Sequence, residues 1–284
     1  MRKVMIGFLG FLFGAVILAA VFSPALFWIS ETLWRGVFPF HRIFNRSLMI
    51  AALILIFPLT RYWGIDSWKK IGIQETDWRK KWLRGFGWGC AMIFLLMAFE
   101  VVFGHRALSG KIGWLKTGEI ILTAISVGFC EELLFRGLFF YAIREYLKKW
   151  LFLWAIFLSA FFATMHFLKA KGDFATVTWQ SGWEMLGNLF PSAIIPIVPR
   201  WMSLFLVGLI LCAVVWRWKS LWLAIGLHTG WVLLLQFSYR ISSPRPTTFW
   251  FGQDMISGGF AMVILILILI IFCVPLRKKN ENVV

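Results

Sequence analysis

Apolar blocks recur from one end of this chain to the other, and they limit the fold more than any other feature. A bilayer core about 30 Å thick needs roughly 20 apolar residues of helix. Inside it, backbone polar groups must find partners within the segment. Apolar blocks run over 4–29, 48–62, 86–103, 120–143, 150–168, 201–216, 221–237 and 259–274. The composition agrees: 60% of the residues are hydrophobic, against about half in soluble domains. The expectation is an all-α, polytopic membrane helix bundle of about eight transmembrane helices. No soluble appendage is visible, so 1–284 reads as a single membrane domain. Residues 1–118 would hold the N-terminal spans and an interfacial segment.

The net charge of +16 would suit nucleic acid on a soluble module. Here the cations fall in short clusters between apolar blocks: Lys69-Lys70, Arg79-Lys80-Lys81, Lys148-Lys149 and Arg277-Lys278-Lys279. That is how topology signals and contacts to membrane lipids are distributed. Nucleic acid is therefore rejected as a partner. With eight spans, the excess of Lys and Arg lies on the side of the termini. This predicts a multi-pass protein of the cell (inner) membrane with cytoplasmic termini. Arg2-Lys3 and Ser23-Pro24-Ala25 imitate a signal peptide, but the apolar run between them is too long, so it reads as an uncleaved first span. Residues 63–83 mix Trp68, Trp78 and Trp82 with charge and read as an interfacial amphipathic segment. Residues 185–198 are broken by Pro191 and Pro196, which suggests irregular backbone walling a cavity.

Against this background, Glu131, Glu132 and Arg136 within the block 120–143 are anomalous. A charged group at mid-membrane costs roughly 2.5 to 3.5 kcal/mol on insertion scales. Glu132 and Arg136 stand at i and i+4, acid first, the favourable order for an ion pair. Glu131 is turned about 100° from Glu132, toward another neighbour, where it could act as a general base. His166 and His228 lie in two further blocks. A carboxylate and two imidazoles can bind zinc, or they can activate water and stabilise an oxyanion. Both arrangements serve hydrolysis. A lone membrane histidine or a Glu–Arg pair is more often a packing device, and it is the combination that points to chemistry. His41 and His105 read as loop residues. Neither HExxH nor GxSxG occurs, which disfavours zincins and serine hydrolases. Cys90, Cys130, Cys212 and Cys273 show no ligand spacing and read as buried apolar side chains.

Glu131-Glu132-x-x-x-Arg136, then Phe162-x-x-x-His166, then His228 resembles the three-part signature of the CAAX protease and bacteriocin-processing (CPBP) family. These intramembrane endopeptidases include the type II CAAX prenyl proteases. The resemblance covers roughly 119–238, which would be the catalytic core. It implies that Glu131 and His166 activate a water and that His228 stabilises the oxyanion. It implies a peptide or membrane-protein substrate and no cofactor, with zinc as the alternative. The family's asparagine four residues after the last histidine is Val232 here. Thr229, Gln236 or Asn188 would have to supply the missing donor. Val232 also keeps open a non-catalytic scaffold or immunity-type protein of the same fold. A transporter is less favoured, since no internal repeat is evident.

Overall fold

A computed structural model describes residues 2–34, 38–110, 113–191, 193–245, 248–252 and 254–273. The cluster Arg277-Lys278-Lys279 lies outside the described residues. Among these residues ten α-helices follow in order: α1 (Arg2–Trp34), α2 (Phe40–Trp63), α3 (Trp68–Ile71), α4 (Trp78–Val102), α5 (Trp114–Glu132), α6 (Leu151–Met165), α7 (Ser181–Gly187), α8 (Val198–Trp218), α9 (Leu221–Ile241) and α10 (Gly259–Cys273). A π-helix, Leu133–Tyr141, continues α5. Six helices, α1, α2, α4, α6 with the residues just before it, α8 and α9, are long and apolar enough to cross a membrane. The protein is thus an all-α, multi-pass membrane protein. Two of the eight expected blocks fall outside that set. One is divided between α- and π-helix and carries the charged cluster. The other is a helix of 15 described residues.

The chain forms two compact units. The first comprises Met1–Asp66, Glu145–Lys148 and Thr164–Pro196. Ala19, Phe40, Phe44, Ala170 and Met185 form its core. Asn45 fastens the irregular stretch to α2 from both sides: its Nδ2 donates to the Ala170 carbonyl at 3.1 Å, and its Oδ1 accepts from the Ala170 amide at 3.0 Å. His41, which lies in the first turn of α2 and not in a loop, has a structural partner: its Nδ1 lies 3.1 Å from Asp173 Oδ1. In α7, Gly182 sits directly on the Ala20 backbone, where a Cβ would come within 1.9 Å of the carbonyl oxygen.

The second unit comprises Ser67–Arg144, Lys149–Ala163 and Ile197–Val284. Its axis is the pair α4 and α9. Gly85 and Gly89 on α4 face the carbonyls of Leu223 and Leu227, and Gly226 and Gly230 on α9 face those of Trp82 and Phe86. Two GxxxG pairs thus interlock reciprocally. Lipid is as apolar as leucine, so helices gain little hydrophobic drive from meeting, and close backbone packing supplies the attraction instead. Gly128 of α5 approaches Thr229 of α9 as closely, and Gly208 of α8 rests on Ser159 of α6.

Residues 67–77 dock into this unit rather than simply lying at an interface. Ile71 is buried beneath Gly137. Glu75 Oε1 accepts the Leu221 amide at 2.7 Å, capping α9, while its Oε2 takes Lys81 at 2.9 Å. A carboxylate at a helix N-terminus meets the exposed amides and the positive end of the dipole. A short antiparallel ribbon, β1 (Arg106–Leu108) with β2 (Ser242–Pro244), also departs from the expected pure helical bundle. Its cause is Arg106, which is buried: Nε donates to Ser242 Oγ at 2.9 Å and Nη1 lies 3.9 Å from Glu100. Glu100 is therefore an internal partner. His105 stacks on Phe251.

Replacing Gly89 with Leu inserts a side chain where even a Cβ would lie 2.3 Å from the Leu227 carbonyl. The variant is expected to lose at least about 1–3 kcal/mol, the usual cost of overpacking. Thermal unfolding in detergent checks this, with Gly87→Leu as the control, since a Cβ at Gly87 meets nothing within 4 Å.

Candidate active site

The charged residues lie where α5 changes its winding. Glu132 closes the α-helix, and the next nine residues are π-helical, with Ala142 bonding back to Gly137 at 2.9 Å. A π turn widens the helix locally, and such turns are frequent at functional sites. The surroundings hold this one in place. Phe135 to Phe140 are all buried. The Trp154 indole donates to the Phe139 carbonyl at 2.7 Å. Gly137 permits the close approach of Ile71, which a Cβ would meet at 2.7 Å.

Glu132 is fully buried, and its Oε1 serves two partners. Arg136 Nη1 donates to it at 2.8 Å, and His228 Nδ1 lies 2.9 Å away. Arg136 also reaches the Gly208 carbonyl at 3.4 Å and lies over the Phe162 ring, 4.3 Å from its centroid. Guanidinium spreads its charge over a plane, which suits this combination of carboxylate, carbonyl and aromatic face. Phe162 is thus a platform for the cation, and its ring also meets the His228 ring edge-on at 6.1 Å. The other nitrogen of His228, Nε2, lies 4.0 Å from Glu131 Oε2. Glu131 is partly open, with about 31% of its side chain exposed, whereas Glu132 has none.

Glu131, Glu132, Arg136, Phe162 and His228 therefore come together in the second unit. His166 lies one residue beyond α6, half-buried, and belongs to the first unit, as does Asn188 at the exposed end of α7. Val232 is half-buried and offers no polar atom. Thr229 does not replace the missing asparagine, because it is buried against Gly128 and its hydroxyl donates to the Ile225 carbonyl at 2.7 Å. The donor set does not fit zinc. Glu132 Oε1 is engaged by a guanidinium, His228 Nδ1 is engaged by Glu132, and among the described residues no three His, Cys, Asp or Glu side chains converge as ligands. Sequence reasoning passed over Gly128, Gly208 and Trp154. The first two carry a signal in retrospect, small residues in membrane helices that mark close contacts.

Arg136→Ala would leave Glu132 buried without its cation. A loss of about 3–5 kcal/mol is expected, the usual result of breaking a buried pair from one side. The double replacement Glu132→Leu, Arg136→Leu should recover part of it, since both members of the buried ion pair are removed together and only the His228 Nδ1 contact is lost. Thermal unfolding of the three proteins tests both statements.

Residues 113–234 match the family described as Type II CAAX prenyl endopeptidase Rce1-like. No curated protein and no solved structure gives a match. The matched stretch contains Glu131, Glu132, Arg136, Phe162 and His228, with all of α5 and the first two thirds of α9. Over residues 113–234 the chain is thus similar to the type II CAAX prenyl endopeptidases, which supports the resemblance to the CAAX protease and bacteriocin-processing family.

Proposed function

We propose that this protein hydrolyses a peptide bond of a membrane-associated protein or peptide, with Glu131 as general base and His228 as the group that stabilises the oxyanion. The observation that carries this reading is His228 set between two carboxylates: Nδ1 is 2.9 Å from Glu132 and Nε2 is 4.0 Å from Glu131. The longer gap exceeds a direct hydrogen bond and suits one bridging water, which can accept from the imidazole and donate to the carboxylate.

In the proposed reaction Glu131 takes a proton from water, the step in which the family resemblance implies help from His166. The resulting hydroxide adds to the carbonyl carbon, and the carbonyl oxygen becomes an oxyanion. His228, protonated on both nitrogens, donates from Nδ1 to Glu132 and from Nε2 to the oxyanion. The proton held by Glu131 then passes to the leaving amine as the C–N bond breaks. With His228 charged, two carboxylates face two cations, so the set is neutral before reaction, as a buried set requires. Glu132 and Arg136 are positioning residues, since they act through His228. No metal takes part in this scheme. The enzyme is assigned to the cell (inner) membrane with cytoplasmic termini, on the distribution of Lys and Arg.

One observation favours a second reading, a non-catalytic scaffold or immunity-type protein. At Val232 the usual second oxyanion donor is missing, and Thr229 is committed elsewhere. Losing one such donor costs about 10²–10³ in rate, so His228 alone would make a slow enzyme.

The two readings separate in one experiment. Neo-termini in the membrane proteome are compared for cells producing wild type, Glu131→Gln, His228→Ala or Val232→Asn. Hydrolysis requires that Glu131→Gln abolish the cleavages while its unfolding temperature stays that of the wild type. His166→Ala should lower the rate less than Glu131→Gln does. Val232→Asn should raise the rate by about tenfold or more, toward the contribution of one oxyanion donor. If the same neo-termini appear with Glu131→Gln, the protease assignment is wrong. If no variant alters any cleavage but Glu131→Gln keeps the cellular phenotype, the scaffold reading takes its place.

A further inference from the structure

The first unit carries a groove that the proposed chemistry does not use. It lies between α1 and α2, encloses about 260 Å³, and is lined by Gly7, Gly10 and Phe11 on one side and Leu55, Pro58 and Leu59 on the other. Gly10 opens it by removing a side chain from the facing surface of α1, whereas at Gly7 the Trp63 indole and Leu59 already fill the space a Cβ would take. A Cβ on Gly10 would meet nothing within 4 Å, so the space above it is open. One turn further, at Gly14, a Cβ would meet Leu55 at 3.1 Å, and the groove closes.

The other end is basic. Arg2 and Lys3 open α1, and Arg61 lies in the last turn of α2. All three are exposed. Contacts between the helices bring these ends together: the Trp63 indole donates to the Lys3 carbonyl at 3.4 Å, and Lys3 Nζ stands 5.4 Å from the Tyr62 ring centroid. Tyr62, which lines the groove where it meets the cations, has an apolar ring and a polar tip, the combination that favours the headgroup level of a bilayer. The site is therefore narrow and apolar along its length, closed at one end, and positively charged at the other. A straight hydrocarbon chain bearing an anionic head complements it at both ends.

We propose that α1 and α2 bind an anionic phospholipid, one acyl chain lying in the groove and the phosphate resting among Arg2, Lys3 and Arg61. Charge selects the headgroup: cations near a membrane surface attract anionic lipid over zwitterionic lipid. The narrow groove, bounded by Gly14 with Leu55, holds the chain. The site is independent of Glu131 and His228.

Native mass spectrometry of the full chain in detergent, titrated with dioctanoyl phosphatidylglycerol or dioctanoyl phosphatidylcholine, tests this. Wild type should retain one phosphatidylglycerol in preference to phosphatidylcholine. Gly10→Phe fills the open space and should weaken phosphatidylglycerol binding at least about tenfold, the effect of losing one well-placed contact. Lys3→Gln with Arg61→Gln should remove the preference, with affinity falling about fivefold per cation. These two surface changes leave the groove intact, so they test the site even if Gly10→Phe unfolds. Equal binding of both lipids to wild type would overturn the proposal, as would unchanged phosphatidylglycerol binding by a folded Gly10→Phe. A dimer peak lost on Gly10→Phe, without lipid retention in wild type, would assign the groove to a second copy of the chain and also overturn it.

Discussion

A fully buried carboxylate oxygen shared by an arginine and a histidine is the contact on which the second unit depends. Glu132 could not stay charged in that position alone, because removing an ion from water costs several kcal/mol even after relaxation. Arg136 offsets the charge from four residues along the same segment, and His228 meets it from α9. Arg136 in turn is held by the Gly208 carbonyl of α8 and by the face of Phe162 on α6. A single oxygen thus ties together α5, its π extension, α8, α9 and α6. Each partner satisfies a group that would otherwise be buried without one, so the arrangement resists piecemeal change.

That contact needs helices at the right height and spacing, and glycine supplies both. On one side, α9 is gripped by the interlocked glycines of α4, and on the other by Gly128 of α5. With backbones this close, α9 has little freedom to slide, so His228 is presented at one depth. Glu75 and Trp222 fix its start, through the capped Leu221 amide and the Ile73 carbonyl. The π segment has the opposite task. It departs from regular winding immediately after Glu132, and Trp154 and Ile71 hold that departure in place. Rigid helix contacts on one side and a locally widened helix on the other leave Glu131, the more open of the two adjacent acids, beside His228.

The two carboxylates show how position divides one chemistry into two tasks. They are consecutive in sequence, yet one is sealed in an ion pair and the other is partly open. A helix turns about 100° per residue, so neighbours in sequence face different surroundings. The second buried acid of this unit, Glu100, has Arg106 opposite it and a strand ribbon beside it. It acts as a clamp, with no histidine between it and a second carboxylate.

What the amino-acid order determined by itself was local. Apolar block length set the membrane helices, because a bilayer admits few other structures. The i, i+4 spacing set Glu132 against Arg136, because helix geometry alone brings such residues onto one face. The order of Glu131, Phe162, His166 and His228 carried the family resemblance. Tertiary structure decided which groups share an atom. That Glu132 Oε1 also takes His228, that Phe162 supports a guanidinium, and that Arg106 builds a ribbon from a loop all depend on residues dozens of positions apart. Periodicity reports only which face of an element is apolar. It says nothing of which face of another element lies opposite, and a buried polar atom takes its role from that neighbour.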